Sequence, residues 1–198
     1  MPQASDDLTA YARIRNAALE LFATRGTAGT TIRDVARAAG VSPGLVQHHF
    51  GTKAGLRKAV DEFVLADALA TITGLPDDLD ERSAEFASRM GAVVRDRPEA
   101  VLYLARAASE GSELGLEGFK AIVEFGVPEF RAMEQRGQLA PDIDVEWAVV
   151  QMLVFQLSTV MFEPAISHAL GQSVLSVEGR RRVNAAALRL FTRGFTRQ

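Results

Sequence analysis

Residues 30–53, TTIRDVARAAGVSPGLVQHHFGTK, constrain this chain more than any other stretch, because they spell two short helices joined by a very tight turn. Ile32, Val35, Ala36 and Ala39 recur at helical spacing, so the first helix has one apolar face. Gly40 follows at once, where a chain leaving a helix needs positive φ and no Cβ. Val41 plugs the corner. Ser42 and Pro43 restart the helix, since the Ser oxygen can accept from a free backbone N–H and Pro loses nothing at the first helical position. Val46 and Phe50 point inward and leave Gly44, Leu45, Gln47, His48 and His49 outward. A small Ala36 opposite the glycine turn permits close approach, which is helix-turn-helix geometry, the kind whose second helix fits a DNA major groove. A hairpin serving packing alone would show the same local pattern, so the flanking sequence has to separate the two.

Upstream, Ile14, Ala17, Ala18, Leu21 and Phe22 trace a stripe at spacings of three and four, closed by Arg25 and Gly26. Downstream, Thr52 caps another helix whose stripe is Leu56, Val60, Phe63 and Val64. Residues 13–60 therefore resemble the DNA-binding domain of the tetracycline-repressor (TetR) family. The matching elements are Ala17-Ala18, Leu21-Phe22, Gly26, Thr31, Val35-Ala36, Ala39-Gly40-Val41-Ser42, His49-Phe50 and Lys53. They cover about a quarter of the chain, and their shared order and spacing make the resemblance specific. Members commonly carry an aromatic, usually Tyr, where this chain has Gln47. An amide suited to reading bases here replaces a ring that touches the DNA backbone.

The overall balance of −3 and pI of about 5.7 hide an asymmetry. Residues 1–60 hold eight Lys or Arg against four acids, about +4, and the remainder carries about −7. A basic head on an acidic body fits a nucleic-acid partner. With 198 residues and 47% hydrophobic content the chain can bury a sizeable core, and without cysteine it has no disulfide or thiol chemistry. The N-terminus lacks the apolar run of a signal peptide, and no stretch of about 20 apolar residues suggests a membrane span. A cytoplasmic protein without membrane partners is the expectation. Residues 1–8 read as an unstructured arm.

Beyond residue 65 the pattern stays helical. One helix runs from about 80 to 95 with Phe86, Met90 and Val94 inward, and another begins at Pro98 and carries Val101, Leu102 and Ala105. A long one from about 114 to 136 presents Phe119, Ile122, Val123, Val127 and Phe130, with Pro128 inside it to kink it. No period-two strand is evident. The fold class is all-α: an N-terminal three-helix helix-turn-helix domain over residues 1–52 and a larger helical domain over 53–198, to which the resemblance assigns ligand binding and dimerisation. The segment VEWAVVQMLVFQLSTVM, residues 145–161, is apolar nearly all round and needs cover on two sides. Val183, Ala186, Ala187, Leu190, Phe191 and Gly194 form a further stripe. Two such helices from each of two subunits can build a four-helix bundle, as the resemblance also implies; completing a monomeric core is the alternative. Arg180-Arg181-Arg182 reads as a solvated helix turn rather than a second nucleic-acid site.

Each candidate residue then has a chemical role. Gln47 and His48 are placed to reach base edges, Gln gripping adenine and His donating to guanine. Pro43 and Gly44 lie beside the DNA at the start of the same helix. By the resemblance, His49 and Lys53 hold phosphates, joined by the hydroxyls or backbone N–H groups of Thr31 and Ser42. Arg33 and Arg37 face the backbone from the first hairpin helix. Adjacent His48 and His49 diverge by about 100° on a helix and have no third ligand nearby, so no metal is expected, and no cofactor. The resemblance implies an effector pocket in the larger domain, with Phe86, Met90, Tyr103, Arg106, Phe119, Phe155, Gln156, Thr159 and Phe162 as candidate lining for an unidentified apolar or planar molecule. The leading expectation is a homodimeric repressor released from a palindromic double-stranded operator by that ligand. An activator, or a regulator of the same build without a switch, is a second class. An all-α carrier or enzyme is a third, against which stand the lack of a nucleophile elbow, a phosphate-binding Gly loop and metal-ligand spacing.

Overall fold

The computed structural model describes residues 3–139 and 142–194. Among them the chain forms ten helices and no strand: α1 (Gln3–Arg25), α2 (Ile32–Ala39), α3 (Pro43–Phe50), α4 (Lys53–Ile72), α5 (Leu79–Asp96), α6 (Pro98–Ser109), α7 (Glu113–Gln135), α8 (Val145–Met161), α9 (Glu163–Leu170) and α10 (Val177–Gly194). No single helix among the described residues is long and apolar enough to cross a membrane. α1 begins at Gln3, where an unstructured arm reaching residue 8 was expected. Asp6 and Asp7 lie in its first turns, where acids favour a helix start.

Local chemistry sets the boundaries of the head. Thr31 caps α2 in a reciprocal box with Asp34, Gly40 closes that helix at φ +66°, and Ser42 and Thr52 cap α3 and α4 by accepting from Leu45 N and Gly55 N. Val35, Ala36, Val46, Leu56, Val60 and Val64 are sealed in with Ile14, Ala18 and Phe22 of α1. That cluster does not stop at residue 52. It runs on through Ala100, Tyr103, Leu104 and Ala107 of α6 to Leu114 of α7, so α1 packs directly on α6.

Polar contacts reinforce the junction. Tyr103 is buried, faces Phe22 with ring centroids 6.4 Å apart, and donates its hydroxyl to Asp61 Oδ1 of α4 at 2.5 Å. Arg106 Nε donates to the Ala23 carbonyl of α1 at 3.1 Å. On the neighbouring side Arg15 lies over the Phe63 ring, 3.5 Å from its centroid, and Arg97 pairs with Asp67. Tyr103 and Arg106 were expected at an effector pocket. Both tie the junction, because a buried hydroxyl and a half-buried guanidinium need acceptors and α4 and α1 supply them; together they border a small recess there with Thr27, Arg57, Ala107 and Glu110.

The body is less tightly closed. None of the described side chains of α5 is fully buried: Phe86, Met90 and Val94, expected inward, are half-covered. On α6, Tyr103, Leu104 and Ala107 join Ala105 inside, while Val101 and Leu102 are half-covered. α7 continues through Pro128 to Gln135. On α8, Val145, Ala148, Val149, Leu153 and Val160 face the core, while Trp147, Val154 and Met161 are exposed. α9 is a short helix the sequence reading did not separate. On α10, Ala187 is buried, Val183 half-covered and Ala186 exposed. The side chains of Leu190, Phe191 and Gly194 lie outside the described residues.

Candidate DNA interface

α3 is held at three points. Val46 is wholly buried, Leu45 and Phe50 are partly buried against the head core, and Phe50 stacks on Tyr11 of α1 with ring centroids 4.6 Å apart. The side chains of Gln47 and His48 are left exposed, next to each other on the outward face. Pro43 and Gly44 are exposed at its start. A Cβ built on Gly44 meets nothing nearer than Ser42 Oγ at 3.8 Å, so the fold itself does not require glycine there.

His49 departs from expectation. It is half-buried, its ring meets the Tyr11 ring edge-on at 6.1 Å, and its Nε2 is enclosed without a hydrogen-bond partner among the described residues. Nε2, turned inward, cannot hold a phosphate from this rotamer. The reason is register: His49 is adjacent to Phe50 and three positions from Val46, so it shares their inward edge of the helix. Tyr11, which props this end of α3, was missed, although it continues the register of Ile14 and Ala18 by one turn.

Around α3 the cations are outward. Arg33 and Arg37 are exposed on α2, Arg37 standing 3.6 Å from Asp34, and Lys53 is half-exposed at the first position of α4. Thr31 spends its polar groups at home: its backbone N–H donates to Asp34 Oδ2 at 3.0 Å and its hydroxyl is 2.5 Å from the same oxygen. Those hydrogen bonds hold the Asp34 carboxyl below the usual carboxylate range. Ser42 Oγ accepts from Leu45 N at 3.2 Å and keeps its own proton for an outside acceptor.

An outward-facing second helix, capped and propped on a basic head, invites comparison with known regulators. Residues 14–60 match the family model described as bacterial regulatory proteins, tetR family. The HTH-type transcriptional repressor Rv3405c of Mycobacterium tuberculosis is 33% identical over 199 residues, an alignment spanning 96% of this chain and 92% of that protein.

The chain belongs to the TetR family.

It is a DNA-binding transcriptional regulator rather than an enzyme. A second relative, the HTH-type transcriptional regulatory protein RaaS of the same species, is 42% identical over 110 residues, which is 56% of this chain but only half of that protein. Two solved TetR-like folds cover nearly the whole molecule. A gamma-butyrolactone receptor superposes with a TM-score of 0.76 at 21% identity over 97% of this chain and 90% of that one. The ketosteroid regulator KstR2 of Mycobacterium tuberculosis superposes at 0.72 with 17% identity, over 95% of each. At that identity the likeness is one of fold alone.

In this TetR-family body the proposed lining residues scatter. Phe86 of α5 packs on Phe125 of α7, ring centroids 4.7 Å apart, a partner the sequence reading had not chosen. Met90, Phe119, Phe155 and Thr159 are half-buried, and Thr159 Oγ1 donates to the Phe155 carbonyl at 2.9 Å. Gln156 and Phe162 are exposed, Phe162 by 62%, at the outward face and end of α8. An open groove of about 570 Å³ lies elsewhere, between Val123, Val127 and Pro128 of α7 and Trp147 and Val150 of α8, rimmed by Glu124 and Glu146. None of the expected lining residues borders it.

Proposed function

We propose that this regulator acts in the cytoplasm as a homodimeric repressor, gripping a palindromic double-stranded operator and letting go when a small, mainly apolar effector binds its body. The observation that carries the pairing is the outer face of α8. Trp147, Val154 and Met161 recur at seven-residue intervals and are 62%, 49% and 38% exposed, beside the apolar groove at Trp147. A row of that kind is what a helix presents to an equivalent helix. Pairing there would fix two α3 helices about 34 Å apart, matching successive major-groove faces. Residues 1–52 would serve as the reading head and 53–198 as the pairing and sensing body.

Within each head, Gln47 and His48 would read bases. Arg33, Arg37, Ser42, Lys53 and the backbone N–H of Gly44 would position phosphates, Thr31 and Pro43 would hold the starts of α2 and α3 against the duplex, and His49 would join them only after its ring turns outward. Release needs a link from body to head, and the contacts of Tyr103 with Asp61 and of Arg106 with Ala23 supply one. An effector that prefers the arrangement with mismatched head spacing lowers operator affinity. A hundredfold release requires about 2.7 kcal/mol of differential affinity. The sign of regulation follows the relative named a repressor.

Footprinting on the DNA flanking its own gene, combined with sedimentation of the complex, tests this reading. Two protected half-sites on one face of the duplex, bound by two subunits, are the expected result. A single subunit on a single half-site, or no preference over bulk competitor DNA, would overturn it.

A further inference from the structure

α5 packs its backbone against α4 and α6 but reaches α7 through side chains. Three pairs span that seam: Asp80 with Arg136 at 3.0 Å, Arg82 with Glu129 at 3.0 Å, and Phe86 with Phe125. Numbers rise along α5 as they fall along α7, so the two helices run antiparallel. Residues 82 and 86 are one turn apart, as are 125 and 129, so the ion pair and the ring pair are neighbours along one strip.

The ion pair is lopsided. Arg82 uses all three of its nitrogens: Nη1 donates to Glu129 Oε1, Nε to the Pro76 carbonyl at 2.9 Å, and Nη2 to the Asp77 carbonyl at 2.6 Å. The Glu129 side chain is only 12% exposed, and its Oε2 is enclosed with no donor among the described residues. Native structures rarely leave a buried carboxylate oxygen so, because water was given up for nothing in return. The adjoining apolar strip is not sealed either, since Phe86, Phe125 and Met90 are all half-buried.

We infer that Glu129 Oε2 is the polar anchor of the effector site, and that the effector is a neutral apolar molecule bearing a hydroxyl or N–H donor. This rests on the effector-release reading above and narrows it. Arg82 and Glu129 already balance each other's charge. An anionic ligand would face the carboxylate, and a cation would leave one uncompensated positive charge in a poorly solvated seam. A neutral donor completes Oε2 without adding charge, while the Phe86 and Phe125 rings take the apolar body.

Calorimetry on the full chain with matched probes tests this: phenol, 2-naphthol and 4-phenylphenol, each against its methyl ether and the corresponding aryl carboxylate. The hydroxyl compounds should bind at least tenfold tighter than their ethers, with the carboxylates weakest. In Glu129→Gln an amide N–H can take the acceptor's place, hydroxyl and ether oxygens can both accept from it, and the preference for the hydroxyl compounds should collapse. Equal affinity for hydroxyl and ether, an unchanged preference in the variant, or tightest binding of the carboxylate would overturn the inference; the first of these is the result if a retained water occupies Oε2. The wild-type series decides alone if the variant does not fold. Should no probe bind at 1 mM, the seam is closed to such molecules and the inference is overturned, while the effector reading keeps its own test in ligand-driven release of operator DNA. Binding without discrimination removes only the donor.

Discussion

The Tyr103 hydroxyl is buried beside a half-buried carboxylate on another helix, and that pairing has a pH signature. Burial, and after it the hydrogen bond to Asp61, pushes the phenol well above its ordinary value. A raised folded-state value means the folded chain keeps a proton that the unfolded chain releases above about pH 10. Stability from this group is therefore complete below that pH and declines as pH rises beyond it. Tyr103→Phe is expected to lose about 1–3 kcal/mol in urea melts at neutral pH and to flatten the alkaline decline. On the proposed DNA face the residues divide by what each would touch. Lys53→Ala should weaken binding to every sequence and reduce the log–log salt slope by about 0.9. Gln47→Ala should instead relax the choice of base at one operator position, at about 1–3 kcal/mol. Competition titrations against an operator library distinguish them, and a uniform loss for the Gln47 variant would remove its reading role. His49 shows where residue-level reading stops: its type and place in the sequence suit a phosphate, but the rotamer is set by Tyr11, thirty-eight positions away.

Helix ends were legible because capping is local. Gly40, Ser42 and Thr52 act within four residues of themselves, and the structure finds each in its expected role; the Thr31 cap of α2 is equally local but was expected only as a phosphate contact. Helix-to-helix distance was not legible in the same way. Gly115 and Gly118 let α7 lie against α6: a Cβ at Gly115 would stand 2.1 Å from the backbone of Ala107 and Ala108, and one at Gly118 would stand 2.8 Å from Leu104 Cδ1. Backbone cannot yield as a leucine tip can. Gly115→Ala should thus destabilise more than Gly118→Ala, the latter within the roughly 1–3 kcal/mol usual for overpacking. Paired thermal melts check the order, and equal losses would mean that α6 shifts freely. The half-covered inner face of α5 was likewise invisible, because periodicity reports which side is apolar and not how near the next helix comes.

For the molecule as a whole, α8 is a helix with apolar residues on two faces. Its inner face is settled by Val145, Ala148, Val149 and Leu153, and its outer row by nothing within the described chain. Val154→Glu places a charge in the middle of that row, at a side chain that is 49% exposed and outside the head-to-body core cluster. The variant should keep its helical circular dichroism, sediment as a single subunit at micromolar concentration, and lose operator affinity together with it. A variant that still pairs would show that the dimer forms through another face. The continuous core from α1 to α7 bears on the same scale. Because head and body share buried side chains across residue 52, a shift of α6 has a packed route to α1 and α4 rather than a flexible hinge.

The linear chain determined most of the helices, the Ser42 and Thr52 caps, the head's turn geometry and the family, since each depends on residues a few positions apart and on periodic burial. Only the tertiary structure decided that Tyr103 and Arg106 tie body to head, that His49 turns inward, and that Glu129 keeps an oxygen without a donor. Those outcomes depend on which helices meet and how closely, and that is settled by packing among side chains distant in sequence.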